Sequence, residues 1–198
     1  MASQVEIANR ALTKLGENRI ISISDNLEAA RVISSMWDIV RDSELREHVW
    51  SFSVKRDQLA AMSTAPSWGY NYQYIVPADF LRLLQANDVF FVSLTNYRDM
   101  NETDYKLENG LILTDLAAPL KIRYVASITD TADWDSAFVE SFACRLAIEA
   151  CERLTQNPTK RELALAQYKL SLGTAIRANA IENPNEPLPD DTWILSRI

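Results

Sequence analysis

Three carboxylates in the middle of the chain have the residue type and spacing that reaction chemistry would need. Asp99, Glu102 and Asp104 lie near several aromatic residues. A pair of carboxylates flanking a sugar can cleave a glycosidic bond, one as general acid and the other as base or nucleophile. Carboxylates are frequent in an acidic chain, however, and residues 96–104 also have the polar composition of an exposed loop. We therefore predict a solvated loop there and no catalytic residue.

Histidine and cysteine are too scarce for the common metal and nucleophile chemistries. His48 is the only histidine, so a histidine-based zinc motif is excluded, and a Ser-His-Asp triad would depend on that one residue. Its position at a helix end beside Trp50 indicates a structural role. Cys144 and Cys151 cannot complete a tetrahedral zinc site, and their spacing in a predicted helix is too long for a disulfide. We predict two reduced, buried thiols, no metal and no cofactor.

Composition and charge exclude several classes of protein. The 198 residues are 47% hydrophobic, which suits one domain or one domain with a modest insertion. Twenty Lys and Arg residues against 27 Asp and Glu residues give a net charge of −7, which argues against duplex-DNA binding as the main function. No apolar run approaches the roughly 18 residues of a membrane span, and the first residues lack a signal-peptide core. We expect synthesis in the cytosol and no membrane contact.

Apolar residues at helical spacing predict two pairs of helices, over residues 3–16, 27–48, 130–156 and 159–179. Ser3 and Glu6 have the spacing of a capping box, which fixes the start of the first helix. The second helix is expected to turn a charged face to solvent. The members of that face are Arg31, Asp38, Arg41, Asp42 and Glu44.

A strand-rich segment separates the two helix pairs. Alternation predicts strands over 50–55, 89–94, 105–108, 111–114 and 120–126, with a short turn or helix over 77–84. Asn109-Gly110 between two such runs predicts a tight hairpin, because both residues tolerate positive φ.

The order of elements predicts an α+β fold. A four-helix bundle would comprise residues 1–49 and 130–181, with a small, mostly antiparallel β domain at 50–129 inserted between helices 2 and 3. Residues 182–198 contain three prolines and are predicted to be an extended C-terminal tail.

Four aromatic residues follow one another in a loop-like stretch: Trp68, Tyr70, Tyr72 and Tyr74. Such rings can pack in a core, contact a protein, or stack on bases or sugars. The negative charge of the chain argues against nucleic acid, since single-strand binding sites combine stacking with a basic groove.

The tail carries large apolar residues with little nearby sequence to bury them: Trp193, Ile194, Leu195 and Ile198. Tryptophan is a typical anchor of protein interfaces. We predict that the tail docks on a partner, and the alternative is that it folds back on its own helices.

A series of short motifs lies between residues 11 and 83. The motifs are Ala11-Leu12-Thr13-Lys14-Leu15-Gly16-Glu17, the connector 21–25, Ala29-Ala30-Arg31, residues 41–52 ending in Trp50-Ser51-Phe52, Gly69-Tyr70-Asn71-Tyr72-Gln73-Tyr74 and Pro77-Ala78-Asp79-Phe80-Leu81-Arg82-Leu83. In order and spacing they resemble the tail tubular protein A family of short-tailed phages, also called gatekeepers or head-to-tail adaptors. We call eight of these residues the signature residues: Trp50, Phe52, Gly69, Tyr70, Tyr72, Tyr74, Pro77 and Phe80.

The resemblance implies a structural virion protein with no catalytic residue. Twelve copies would form a ring at the neck, below the portal protein, and carry the tail nozzle (tail tubular protein B-like) and often the tail fibres. DNA would pass through the lumen without sequence-specific binding, and the ring would help to retain or gate it. By position in the chain, the portal-docking residues would be Pro187, Trp193, Ile194, Leu195 and Ile198. The nozzle or fibre side would present Tyr97, Asp99, Asn101 and Asp104.

Two alternatives remain open. A head-completion connector of a long-tailed phage shares a helical core, although the Trp/Tyr/Pro-rich block favours the short-tailed version. A carbohydrate-degrading enzyme using Asp and Glu is the alternative from another class, and alanine substitutions at Asp99, Glu102 and Asp104 would test it.

Overall fold

Helices and strands occupy separate stretches of the chain. The computed structural model describes residues 2–87, 89–90 and 105–182. Within these ranges two helices precede the strands, α1 (Gln4–Leu15) and α2 (Glu28–Glu47), and two follow them, α3 (Ser136–Thr155) and α4 (Pro158–Glu182). The predicted mixture of helix and antiparallel sheet is thus confirmed.

The capping box of α1 forms as the sequence predicts. The Ser3 hydroxyl accepts a hydrogen bond from the Glu6 backbone N–H at 3.3 Å, and the Glu6 carboxylate accepts one from the Ser3 backbone N–H at 2.7 Å. These bonds lower the pKa of Glu6. Gly16 ends the helix at φ 70°, a left-handed conformation that glycine adopts without strain.

The strands form two antiparallel sheets. The four-stranded sheet has the order β1 (Val54–Leu59), β7 (Leu120–Ala126), β3 (Phe80–Ala86) and β4 (Val89–Phe90). The three-stranded sheet has the order β2 (Tyr72–Ile75), β6 (Leu111–Thr114) and β5 (Tyr105–Glu108). Asn109 and Gly110 join β5 to β6 at φ 50° and 73°, which confirms the predicted hairpin.

The predicted strand over 50–55 is wrong in its first half. Residues Ser51–Ser53 form one turn of 3-10 helix, and β1 starts only at Val54. Ser53 closes the turn, because its backbone N–H and its hydroxyl both donate to Trp50 O, at 3.0 and 2.9 Å. After this turn, Trp50 and Phe52 both pack against one ring, Phe138, at centroid distances of 5.0 and 5.1 Å.

The predicted turn or helix over 77–84 is also corrected. Only one turn forms, with Phe80 N–H donating to Pro77 O at 3.1 Å, and the chain then continues as β3. Pairing with β7 decides the outcome, since short apolar runs are equally compatible with helix and strand until a neighbour supplies backbone hydrogen bonds.

An aromatic cluster lies where the helices meet. Helix α3 packs against α1, α2 and α4. Its Phe142 contacts Trp37 of α2 at 5.1 Å and Trp134 at 5.0 Å, and its Phe138 contacts Trp134 at 5.1 Å. Edge-on and stacked ring pairs of this kind add to the free energy gained by burying the rings.

Both cysteines are also on α3. Cys144 and Cys151 are free thiols and fully buried, as the sequence predicts.

We expect Phe138→Ala to lower the free energy of unfolding by about 3–5 kcal/mol, because it removes a fully buried ring from this cluster. Urea denaturation followed by circular dichroism measures the change. Trp68→Ala is the matched control, since Trp68 is 82% exposed and its removal should cost less than about 0.5 kcal/mol. Equal losses in the two variants would contradict this placement of Phe138.

Candidate interaction surfaces

The best-buried signature residues serve packing rather than an exposed site. Trp50 is 2% exposed, and its indole N–H donates to the backbone oxygen of Glu44 at 3.2 Å. Phe52 stacks beside it at 6.4 Å. Tyr74 is fully buried, and its hydroxyl donates to Leu116 O at 2.8 Å. These side chains join the helices to the strands and hold nothing that could react.

The other signature residues shape the loop before β2 and the start of β3. Gly69 has φ 89°, a backbone conformation that favours glycine. Among the described residues nothing lies within 4 Å of a Cβ built at this position, so the requirement for glycine comes from the backbone conformation and not from lack of space. Tyr70 is half-buried, and Tyr72 is more exposed. Pro77 and Phe80 form the turn that precedes β3. Trp68, next to this group, is the most exposed aromatic residue in the described part of the chain.

Asp79, in the Pro-Ala-Asp-Phe motif, links three strands. Its carboxylate accepts hydrogen bonds from Lys55 Nζ at 2.7 Å and from the Tyr124 hydroxyl at 3.0 Å. Burial alone would raise the pKa of Asp79, but these two donors outweigh it and lower the pKa. Burial and the neighbouring carboxylate raise the pKa of Tyr124 to about 12. An ionised carboxylate held by both oxygens is a structural link rather than a general base.

Glu44 is buried, contrary to the prediction that it lies on the solvent face of α2. It is 1% exposed, and its two oxygens accept from the Tyr168 hydroxyl of α4 at 2.9 and 3.0 Å. Arg145 Nε of α3 lies 3.6 Å from Glu44, and the guanidinium stacks over the Tyr168 ring at 5.8 Å. Burial raises the pKa of Glu44 even though Tyr168 and Arg145 counteract it. Arg41, predicted on the same face, is also buried, with ion pairs to Asp38 and Asp42.

The far side of α4 exposes a line of large apolar residues. Helix α4 buries Ala164, Tyr168 and Ala175, while Leu163, Leu170 and Ile181 are 59%, 76% and 81% exposed. The last three are separated by about two and then about three helical turns, so they lie on one line. We call these three residues the α4 stripe. They are separated along the helix by about 10 Å and about 16 Å, and their common face offers another chain three aligned apolar contacts.

A shallow groove of about 230 Å³ lies on the outer face of the three-stranded sheet. Trp68 stands at its rim, and Gln73 and Glu108 are among the polar residues that line it. An exposed ring beside amide and carboxylate groups can contact a protein or a sugar, and the groove by itself does not select between them.

The residues predicted to contact partners lie outside the part that the structure describes. These are Tyr97, Asp99, Asn101 and Asp104 of the predicted loop, with Glu102 of the enzyme alternative, and Pro187, Trp193, Ile194, Leu195 and Ile198 of the tail.

Within residues 2–87 and 105–182, no group of three or more His, Cys, Asp and Glu side chains could hold a metal ion. No helix in the same ranges has the length and apolar character that crossing a membrane requires. His48 is the residue that ends α2, and its ring packs edge-on against Trp50 at 5.9 Å, which confirms its predicted position.

We expect Glu44→Gln to gain stability over the wild type as pH rises. The folded state binds the Glu44 proton more tightly than the unfolded chain, where the pKa is near its ordinary 4.5. Ionisation above that pH therefore costs folding free energy, about 1.4 kcal/mol for each unit by which the pKa is raised. Urea denaturation between pH 4 and 8 should show the difference widening from about pH 4.5 up to the folded-state pKa and staying constant above it.

Tyr168→Phe is the companion variant for this test. Loss of its hydroxyl removes a donor that stabilises the ionised carboxylate, so the pH window should extend upward. A difference between Glu44→Gln and wild type that does not change with pH would contradict the burial of an ionisable Glu44.

Comparison of the chain with protein-family models and with curated proteins found no match in either set.

Proposed function

We propose that this chain is a head-to-tail adaptor of a short-tailed phage, a structural virion protein whose copies form a ring between the portal and the tail nozzle. Residues 1–49 and 130–181 form the helical bundle that builds the ring, and the β domain at 50–129 is inserted between helices 2 and 3. The motifs between residues 11 and 83 support this family. The proposal includes no catalytic step.

The α4 stripe is the observation that carries the proposal. A monomer gains no stability from three large apolar side chains in one line on its surface, whereas burial against another chain releases about 25 cal/mol per Å² of apolar area. In a ring every copy presents this patch to a different patch of the next copy, and the rotation closes the assembly. We therefore assign the side-to-side contact of the ring to α4.

Gly173 supports the same contact. It lies one turn beyond Leu170 in the interior of α4, where glycine costs about 1 kcal/mol relative to alanine. Among the described residues nothing lies within 4 Å of a Cβ built there, so packing within this chain does not require the small residue. Close approach of a neighbouring copy would explain it.

The segments outside the described residues complete the proposal. The tail, with Pro187 and Trp193, would hook the portal, and loop 96–104 would face the nozzle or the fibres. DNA would pass through the lumen without sequence-specific contacts. The protein would be made in the host cytoplasm and act at the neck of the virion.

Leu170→Glu should prevent ring formation while leaving the isolated chain folded, because it places a charge in the proposed contact. Gly173→Ala should raise the free energy of unfolding by up to about 1 kcal/mol and yet weaken assembly. Ile39→Glu is the matched control, since Ile39 is 75% exposed on α2, away from the stripe. Sedimentation and circular dichroism measure the two effects. If Ile39→Glu impairs assembly and Leu170→Glu does not, α4 is not the contact.

Electron microscopy of the protein mixed with the portal protein from the same genome tests the function itself. A second ring stacked on the portal is the expected result. A chain ending at residue 183 should keep its melting temperature and lose portal binding. Portal and protein that stay separate over a range of concentration and salt would overturn the adaptor proposal, and binding by the shortened chain would overturn the role of the tail.

A further inference from the structure

The α4 stripe and the C-terminal tail are apolar parts of the same chain, and they are neighbours in sequence. Leu163, Leu170 and Ile181 are exposed on one line of α4, which ends at Glu182. The tail, residues 183–198, follows directly and carries four large apolar residues near its end. Apolar surface on either part is unfavourable in water, and a contact between the two parts would bury both.

The tail is long enough to turn back along α4. Pro184 follows the end of the helix at Glu182 and disfavours further helix. Trp193 is eleven residues beyond Glu182, and eleven extended residues span up to roughly 36 Å. Leu170 is twelve residues before Glu182, which is about 18 Å along the helix. Trp193 therefore reaches Leu170 with length to spare for the turn.

The spacing of the apolar residues agrees in the two parts. Leu163 precedes Leu170 by seven residues, or about 10 Å of helix. Ile198 follows Trp193 by five residues, or up to roughly 17 Å of extended chain. A tail that runs antiparallel to α4 can therefore cover both ends of this line.

Charges on the two parts favour the same direction. Arg177 is exposed and lies seven residues after Leu170, or about 10 Å along the helix. Asp190 comes three residues before Trp193, which is also about 10 Å of extended chain. An antiparallel tail with its tryptophan at Leu170 therefore brings Asp190 beside Arg177. Exposed ion pairs contribute little, so this pair selects the direction of the tail and the apolar contact supplies the strength.

We propose that in the free chain the tail folds back on α4 and shields the α4 stripe, with Trp193 and Leu195 over the line from Leu170 to Leu163. A short tether holds the tail at an effective concentration of about 1 mM, so a contact with an intrinsic dissociation constant of about 0.1 mM forms in about nine of ten molecules. A segment held this weakly leaves the helices before they unfold, so its removal at residue 183 leaves the melting temperature unchanged.

This shield gives the tail two successive roles within the adaptor proposal. In the free chain it covers the surface assigned to the ring contact, and at the neck of the virion it binds the portal. Capture of the tail by the portal uncovers the stripe, so copies associate where a portal is present and stay apart elsewhere. The second role rests on the proposed function, whereas the shield itself needs no partner.

Thiol labelling of the folded chain measures the shield. Ala166 is exposed and lies one turn from both Leu163 and Leu170, so Ala166→Cys reports on the stripe without removing any of its residues. Both native cysteines are buried and therefore unreactive. At high dilution the introduced thiol should react about tenfold more slowly in the full chain than in a chain ending at residue 183. Ser35→Cys, at an exposed position on α2, should react equally fast in both.

Substitutions in the tail identify the residues that form the shield. Trp193→Ala with Leu195→Ala in the full chain should raise the labelling rate to that of the shortened chain, because it removes the apolar contact. Asn185→Ala with Thr192→Ala is the matched control, since it shortens two polar side chains of the same segment. Labelling should stay slow in this control.

Equal labelling rates in the full and the shortened chain would overturn the shield, and so would slow labelling that survives loss of the two apolar residues. Protection that grows with protein concentration would mean that a second copy covers the stripe, which also overturns docking within the chain. No portal is present in these measurements, so a failure of the adaptor proposal in electron microscopy leaves their result unchanged. Fast labelling of the full chain together with a ring on the portal would reject the shield alone.

Discussion

Helix α3 is apolar around almost its whole circumference, and the rest of the helical part is arranged to cover it. Its buried residues are Phe138, Ser141, Phe142, Ala143, Cys144, Leu146, Ala147, Ile148, Ala150 and Cys151. A helix that is buried on most sides must be surrounded by other elements, although Glu149, Glu152 and Arg153 near the end of α3 are exposed. Helices α1, α2 and α4 supply three sides, and the turn that follows α2 supplies Trp50. Phe138 and Phe142 are thus contacted both by rings from before the strands, Trp37 and Trp50, and by Trp134, which follows the strands.

The strands are fixed to this core by a small set of polar contacts near the end of α2. Ser127 donates to the Asp42 carboxylate at 2.7 Å, and Arg46 donates to Leu81 O. Asn179 of α4 holds the chain on both sides of Trp50 through Val49 and Ser51. Each such bond contributes on the order of 1 kcal/mol. These bonds add directional contacts to the hydrophobic core, which continues from the helices into the strands through residues such as Leu83 and Tyr124.

Local patterns predicted those features that depend on neighbours in sequence. The capping box at Ser3 and the Asn109-Gly110 hairpin follow from backbone requirements that few residues meet. Errors arose where distant residues decide. Beside the 3-10 turn at residues 51–53, the rings of Trp50 and Phe52 pack against Phe138, which is far along the chain. Glu44 is buried because Tyr168, also far along the chain, donates a hydrogen bond to it. The placement of Arg56 directly opposite Arg123 was not predicted, because it depends on the register of β1 against β7, which alternation within one strand does not contain.

Helix α4 carries large apolar or aromatic residues on two opposite sides, the exposed α4 stripe and the buried side of Tyr168. Some other interaction must therefore determine which side faces α3. Hydrophobic burial alone cannot decide whether Leu170 or Tyr168 faces α3. The hydrogen bond from Tyr168 to Glu44 can decide it, because the buried Glu44 carboxylate would lose the Tyr168 hydroxyl as a donor if α4 turned. We infer that this buried polar contact costs stability and provides specificity, which is the best-attested use of such groups. It fixes the rotation of α4 and so determines that Leu163, Leu170 and Ile181 are the large apolar residues left exposed.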